Sequence, residues 1–538
     1  MHGDITLHLE NDIVGVQMSV DADVAIVGFG PGGEALASLL GQAGHRVVVF
    51  EKSAVPYGLP RMSTLDGETA RLMQHTANPD EALEGSIPQP GAIFYGANGE
   101  IATTADWGFK LCGHPYRLSL HQPNIEKAME ARIRECPTVT IHWGYEVTGL
   151  DDTGDEIRIT AAPSKRAGVT NEGAAVAISA TYVIGMDGAS SFVRESLGIP
   201  IEVVQNHEDR WVLTDFDIVD PELQPPTTTV HLDPNGPWFW GPNGANRCRT
   251  DVRVMDPTAT NDDLLEHEKA YEFLERKLGI NREQVSITRR VVYKFRSQYA
   301  KTFRKGRVFI GGDAAHTMTP GIGQGSCSAM RDASNLAWKL DLILTGRATE
   351  ALLDSYEPER LSHVLPLIHG SVIAWERAIE NDPVKVAERD AFLRSSPSPE
   401  PPVPGLMQGI LHKSGDELAA GPTGALSPQG RVRLAGQEGL LDSLIGSGFQ
   451  LISSSPLHTA LSDAQVEVLE RLGVHVLVLG EGPDDLQDLD GTYSEFFAAN
   501  EVTALLARPD FFLFGVAAGP DETKALVEDL LSQLSLTS

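Results

Sequence analysis

The stretch from Asp23 to Lys52, DVAIVGFGPGGEALASLLGQAGHRVVVFEK, constrains the fold of this chain more than any other, because it spells out a complete βαβ unit. The apolar run Val24 to Val27 reads as a buried strand that leads straight into Gly28-x-Gly30-x-x-Gly33. The first glycine permits a tight turn and the second lets the backbone approach a pyrophosphate. The third lets the following helix pack against its strand, with its N-terminus aimed at phosphate charge. A second apolar strand, Arg46 to Phe50, ends at Glu51, where a carboxylate can accept both hydroxyls of an adenosine ribose, and Lys52 follows as a further cofactor-binding candidate. Strand, triplet, helix, strand and terminal acid, in that order, predict a site for an ADP-containing cofactor. On these residues alone, NAD and FAD both fit.

Gly306 to Leu340 narrows the choice. Val308 to Ile310 reads as a strand that delivers Gly311, Gly312 and Asp313 at its carboxyl end, where open α/β sheets bind ligands. A carboxylate there can accept hydrogen bonds from a polyhydroxylated chain such as ribitol. The loop Thr319-Pro320-Gly321-Ile322-Gly323-Gln324-Gly325 has little side-chain bulk, and from Ser326 a long helix runs through Trp338. Its opening N–H groups and dipole can stabilise the negative charge that reduced flavin develops at its N1–C2=O2 edge, which favours FAD. Between these motifs the strand Tyr182 to Met186 ends in Asp187-Gly188, with Arg194 downstream, a turn suited either to phosphate or to fixing the loop near the flavin. His316 follows a strand-end aspartate, where a histidine more often packs or caps than exchanges protons.

With 538 residues, the chain is too long for one core and predicts two or three domains. A formal charge of −31 argues against nucleic acid or an anionic membrane as partner. Cys112, Cys136, Cys248 and Cys327 show no metal-binding spacing, so no metal site is expected, and they suit a reducing compartment. The acidic N-terminus lacks a signal-peptide pattern and no apolar run approaches ~20 residues, so a cytoplasmic protein is expected.

Together the three motifs resemble the class A flavoprotein aromatic hydroxylases. Within them the chain is most similar to 3-(3-hydroxyphenyl)propionate hydroxylase and the phenol hydroxylases. Supporting stretches are Tyr57-Gly58-Leu59-Pro60-Arg61, Gln122-Pro123-Asn124-Ile125-Glu126, Tyr293-Lys294-Phe295 and Tyr356-Glu357-Pro358-Glu359-Arg360. The fold implied is α/β (α+β): a Rossmann-like FAD-binding domain interleaved with a β-sheet substrate domain, plus a C-terminal thioredoxin-like domain lacking redox cysteines. Residues 1–20 would be a leader. The FAD-binding domain would span 21–394, in segments of about 21–100, 120–200 and 295–394, with the substrate domain at about 100–120 and 200–295. The Pro/Ser-rich stretch 395–405 would be a linker, and 406–538 the thioredoxin-like domain, with strands at Phe449 to Ile452, Val474 to Leu479 and Phe511 to Val516 and helices at Ser462 to Leu472 and Asp521 to Leu534.

The resemblance implies FAD as cofactor, NADH or NADPH as reductant and O2 as co-substrate, with a C4a-hydroperoxyflavin oxygenating a phenolic ring ortho to its hydroxyl. The partners expected are a small aromatic substrate and a second copy of the chain in a homodimer. Carried over by position, Gly28, Gly30, Gly33 and Glu51 hold the ADP half and Asp313 the ribityl chain. Arg61 and Gln122 fall beside the flavin, and Pro320 and Gly323 to Ser326 line its pyrimidine side. Their bland alternatives are a surface salt bridge for Arg61 and a helix cap for Gln122. The family's Gly-Met-Asn is here Gly325-Ser326-Cys327, so Cys327 replaces an asparagine expected near the flavin. Trp211, Trp238, Trp240 and Tyr293 are candidate walls of the substrate pocket, with ordinary sheet core as the alternative. No residue stands out as the base that deprotonates a phenol. Trp238-Phe239-Trp240-Gly241-Pro242 faintly echoes a halogenase signature but lacks its isoleucine. A non-catalytic FAD scaffold and a flavin reductase or dehydrogenase are the other competing readings.

Overall fold

In the computed structural model, which describes residues 20–165, 173–396, 403–415 and 417–534, strand Ala22–Val27 lies inside a parallel sheet. Its order is Val139–Trp143, Val47–Glu51, Ala22–Val27, Val176–Gly185, and Val308–Ile310 joins alongside the end of Val176–Gly185. The start of Val176–Gly185 instead pairs antiparallel with Ile157–Pro163, which pairs with Tyr145–Asp152. Near-continuous apolar runs such as ADVAIV suit strands covered on both faces. Helices Pro31–Gln42 and Gly325–Leu344 pack close together: a Cβ added at Gly32 would lie 3.0 Å from the carbonyl oxygen of Ala329. The carboxyl ends of Ala22–Val27, Val47–Glu51, Val176–Gly185 and Val308–Ile310 therefore open on one edge. Residues 1–19 of the expected leader and 397–402 of the expected linker lie outside the described residues.

The second sheet has eight strands in the order His316–Thr317, Val285–Ala300, Ile201–Ile218, Arg247–Arg253, Trp238–Pro242, Thr228–His231, Gly91–Tyr95, Ile101–Asp106. Gly91–Tyr95 enters it as one arm of a hairpin with Ile101–Asp106, so the chain crosses between sheets near residue 90 and not near 100. A hairpin arm follows its partner into a sheet, which composition alone does not announce. Helix His267–Leu278 covers one face, where Leu274 packs with Phe216, Ile218, Cys248 and Val285. Helix Tyr356–Ile379 lies against the other, bringing Trp375 onto Trp211. At the far edge His316–Thr317 pairs with Tyr299 and Gln298, so the chain steps directly from the second sheet into the loop Thr319 to Gly325.

The C-terminal segment forms a four-stranded sheet in the order His475–Val478, Gln450–Ser453, Ala504–Ala507, Leu513–Ala517, the first pair parallel and the others antiparallel. With helices Asp463–Leu472, Thr492–Asn500 and Pro520–Gln533 it reads β-α-β-α-β-β-α. Buried charge joins it to the rest. Glu359 accepts from Lys339 Nζ and Arg508 Nη2, each at 2.7 Å, and Arg71 on helix Gly67–Thr76 reaches Asp442. Among the described residues no helix is long and apolar enough to cross a membrane.

Candidate active site

At the ADP end the glycines divide into two kinds. Gly28 has φ +101°, and a Cβ there would lie 2.4 Å from the Met186 carbonyl oxygen; one at Gly33 would lie 2.2 Å from that of Gly28. Both are demanded by the backbone itself. Gly30 has φ −93° and an added Cβ would meet nothing within 4 Å, so the space above it, at the start of helix Pro31–Gln42, is open. The Glu51 carboxylate accepts the N–H of Phe29 at 2.9 Å and of Ser53 at 2.7 Å, which fixes it at the mouth of the glycine loop. Lys52 is half-buried and has no polar partner among the described residues. Glu34, not anticipated from the sequence, is buried in the first turn of the helix. Burial first, then the charges of Glu126, Glu130 and Glu51, push its carboxyl well above the usual range.

Asp313 stands at the end of Val308–Ile310, solvent-accessible yet walled in by protein, with no hydrogen bond among the described residues. Those walls raise its carboxyl above the ordinary range, against the pull of His316 and Arg61. Arg61 is exposed, its guanidinium 3.9 Å over the Tyr57 ring, and it forms no ion pair among the described residues, so the salt-bridge alternative does not hold. Gln122 opens helix Gln122–Arg134 but does not cap it. Its Oε1 accepts the N–H of Arg61 at 2.7 Å and of Met62 at 2.6 Å, and its Nε2 donates to Glu126 at 2.5 Å, so it pins the Arg61 loop. Asp187 accepts from Ser191 Oγ at 2.5 Å and from the Val193 N–H at 3.1 Å. Arg194 donates to the carbonyls of Ala314 and Ala189, both at 3.0 Å. Of its two alternatives this turn matches the second, fixing the loop, because its arginine is buried and spent on carbonyls.

Pro320–Ile322 forms a 3-10 turn, and Gly323 follows at φ +67°. A Cβ there would lie 2.5 Å from both Arg117 Nη2 and Thr64 Oγ1. The Gln324 side chain turns away from the loop, donating to Asp66 at 3.0 Å and accepting from Arg331 Nη1 at 2.7 Å. Arg331 also pairs with Asp66 and Glu68, a buried cluster the sequence did not reveal. Helix Gly325–Leu344 then starts without a side-chain cap. The N–H groups of Gly325, Ser326 and Cys327 have no partner among the described residues, and a Cβ at Gly325 would meet nothing within 4 Å. The Cys327 thiol points inward, 3.9 Å from the carbonyls of Thr64 and Gly323, and burial pushes it up to about 11. The substitution for asparagine thus leaves backbone donors, not a thiol, at the loop surface. His316 is buried 2.7 Å from Asp332, a packing role.

Register sorts the aromatic candidates. Trp211 lies opposite Tyr293, and Phe239 opposite Asp251, on the face toward helix Tyr356–Ile379. Trp211 lies 4.6 Å from Trp375, Phe239 stacks on Trp375 at 5.8 Å, and Phe295 meets it edge-on at 5.1 Å. Trp375 in turn abuts the turn Pro320–Ile322, since a Cβ at Gly321 would lie 3.5 Å from its ring. Trp238 and Trp240 lie on the opposite face. Trp238 stacks on His231 at 3.6 Å and meets Phe273 of helix His267–Leu278 at 5.4 Å, while Trp240 packs against the Leu274 cluster. These two are sheet core, not pocket walls, because strand neighbours alternate faces. The residue between them, Phe239, is the one on the Trp375 face.

On that face Asp215 binds two arginines: Arg249 Nε at 2.7 Å and Arg289 Nη1 at 3.3 Å. Both also hold the Pro60 carbonyl, at 2.8 and 2.6 Å, tying the Tyr57 to Arg61 loop to the sheet. Arg289 donates to the Tyr293 hydroxyl. Open space over Gly30 and over Gly325, the unshared Asp313 carboxylate at a strand end and the uncapped N–H groups that open the second helix are the features a bound dinucleotide would use.

The FAD binding domain family model matches residues 21–371, and the HcaD C-terminal domain model matches 424–533. A probable NADH-specific resorcinol 4-hydroxylase of Rhodococcus jostii is 30% identical over 526 residues, 95% of each chain. A 3-(3-hydroxy-phenyl)propionate/3-hydroxycinnamic acid hydroxylase of Paraburkholderia xenovorans is 29% identical over 96% of this chain and 92% of its own. The fold matches the flavin-dependent monooxygenase PieE, solved with FAD and substrate, at TM-score 0.77 and 21% identity over 96% of this chain and all of that one. It matches aklavinone-11 hydroxylase at TM-score 0.74 and 22% identity, with the same coverage. With uncapped amides beside an aromatic wall, and family models covering both halves, the chain belongs to the FAD-dependent aromatic hydroxylases, a group of flavoprotein monooxygenases.

Proposed function

We propose that this enzyme hydroxylates a phenolic ring beside an existing hydroxyl, with NADH as reductant. The observation that carries the reading is the aromatic cluster of Trp211, Phe239 and Trp375, of which the buried Trp375 abuts the turn Pro320–Ile322 and Phe239 is the partly exposed member. The relatives' names, a resorcinol and a hydroxyphenylpropionate hydroxylase, support a phenol, and the first supports NADH. Gly28, Gly30, Gly33 and Glu51 would hold the ADP half of FAD, with Lys52 beside them. Asp313 would take the ribityl hydroxyls, and Arg61, Pro320, Gly323 and the N–H groups of Gly325 and Ser326 would border the ring. Gln122, Asp187 and Gln324 act by fixing those segments. FAD, if bound and reduced by NADH, would supply the two electrons that activate O2, one atom of which would enter the substrate. The apolar wall keeps water from the reacting centre, and the uncapped N–H groups stabilise charge at the ring edge. We read the C-terminal β-α-β-α-β-β-α unit, which contains no cysteine, as a thioredoxin-like domain with a structural role.

The halogenase reading loses its motif, because Trp238 and Trp240 face helix His267–Leu278. The test is to screen phenols for stimulation of NADH and NADPH consumption by the yellow protein, then analyse the product formed under 18O2. Label in a new hydroxyl next to the old one is expected. Consumption without labelled product would leave a reductase or dehydrogenase, and no stimulation by any phenol a scaffold.

A further inference from the structure

We propose that Asp251 is the catalytic base that takes the hydroxyl proton from the aromatic substrate, an assignment that rests on the phenol reading above. Asp251 sits mid-strand in Arg247–Arg253, on the face that carries Trp211 and Phe239. Its cross-strand neighbours are Leu213 on one side and Phe239 on the other, so a carboxylate is set into an apolar wall. The next charged residues on the same face of its strand are already matched: Arg253 pairs with Asp209 at 2.5 Å and Arg249 with Asp215 at 2.7 Å. Asp251 alone of these carboxylates has no hydrogen bond or ion pair among the described residues, and it is half-buried.

Three charged groups act on it: Arg249 on its own strand, Asp215 on Ile201–Ile218 and Arg289 on Val285–Ala300. Burial outweighs the two arginines, and Asp215 adds to it, so the carboxyl is raised to about 6. A base in that range is ionised at neutral pH yet still holds a proton well enough to accept one, the compromise general-base catalysis favours. The substrate O–H bond breaks as the proton bonds to an Asp251 oxygen. The electron pair passes into the ring and makes the carbon beside the C–O bond nucleophilic; there one atom of O2 would be bonded as the O–O bond breaks and the ring C–H proton is lost to solvent, with NADH supplying, through the cofactor, the two electrons that take the other oxygen atom to water. Partial exposure then lets Asp251 return the proton to solvent.

The test compares two substrates on the full-length FAD-loaded enzyme: a simple phenol, neutral at the assay pH, and a polyfluorinated phenol that is already ionised. For the wild type, kcat/KM with the simple phenol should fall tenfold per pH unit below about 6, while kcat with the ionised phenol stays flat through that range. In Asp251→Asn that limb should vanish, with activity on the simple phenol lower by roughly 10²–10⁴-fold and kcat on the ionised phenol within a few-fold of wild type. Binding of a dinitrophenolate, which stays an anion through this range, to the oxidised protein, read by absorbance, should weaken in the wild type as pH rises through about 6 and Asp251 becomes a second negative charge, and be flat in Asp251→Asn. Asp251→Glu should recover part of the lost rate. Equal losses on both substrates, no loss on the simple one, or a wild-type profile lacking the limb would each overturn the assignment. If the wild type oxygenates neither phenol, the phenol reading fails and the role of Asp251 with it.

Discussion

Replacing Asp442 with Asn tests whether the C-terminal unit is held by charge. The Asp442 carboxylate is fully buried and accepts from Arg71 Nε at 2.6 Å, Arg71 Nη2 at 2.9 Å, Gln450 at 3.0 Å and His75 at 3.1 Å. The asparagine keeps the shape and one acceptor oxygen but removes the negative charge opposite the Arg71 guanidinium, whose remaining contacts, the Ser427 carbonyl and hydroxyl, each at 3.0 Å, and the Phe511 ring, carry none. An uncompensated buried cation costs about 3–5 kcal/mol, a large share of a typical 5–15 kcal/mol total. Burial opposes ionisation, but Arg71 and His75 hold the Asp442 carboxyl far below the usual range. A depressed carboxyl contributes fully above its unfolded value of about 3.9 and loses that contribution as pH falls toward the folded value. The deficit of Asp442→Asn in urea unfolding should therefore be constant from about pH 5 to 8 and shrink below about pH 4. The double variant Arg71→Met/Asp442→Leu should recover most of it, since an apolar pair leaves no stranded charge. A single-variant loss under about 1 kcal/mol at neutral pH, or a double variant no better than the single, would refute the reasoning.

Gly30→Ala should leave the thermal stability of the cofactor-free protein unchanged and sharply weaken FAD binding by fluorescence titration, because its Cβ would occupy open space and strain nothing. Gly28→Ala should instead compromise folding itself, seen as insoluble or proteolysed protein, since its Cβ would collide with the Met186 carbonyl. Asp313→Ala should release FAD on dialysis with a Kd higher by one to two orders of magnitude, one lost charged hydrogen bond being worth about 1.5–3 kcal/mol. Phe239→Ala should raise KM for the aromatic substrate at least tenfold while Trp238→Phe leaves it within twofold, as read by steady-state NADH consumption.

The parts legible in the sequence were those in which a local pattern is also the mechanism. The βαβ unit from Ala22 to Glu51 needs its glycines at fixed offsets for backbone reasons, and the loop after Thr319 announces itself by lacking side chains. What stayed hidden depends on register. In WFWGP nothing local says which of three consecutive aromatics turns toward helix Tyr356–Ile379, and the pairing of Phe239 with Asp251 and its stacking on Trp375 select the middle one. Trp375 was missed because it comes from a helix more than a hundred residues further on. The Asp66–Arg331–Gln324 and Arg71–Asp442 clusters join residues hundreds of positions apart, and no spacing rule reaches that far. In the C-terminal unit the strand Ala504–Ala507 is four apolar residues, too short for periodicity to separate from a helix.

The pairing of His316–Thr317 with Tyr299 and Gln298 binds the loop Thr319 to Gly325 to the sheet that carries the aromatic wall, while Val308–Ile310, eight residues earlier, is bonded into the other sheet. A short span of backbone, wound into a single turn at Gly312–Ala314, therefore bridges the two sheets beside the proposed cofactor site. The sheets cannot slide far past each other there without tearing ladder bonds, so under the proposed function the spacing between cofactor and aromatic cluster is set in part by main-chain geometry. Evolution can then recut the wall for a new ring without resetting that spacing.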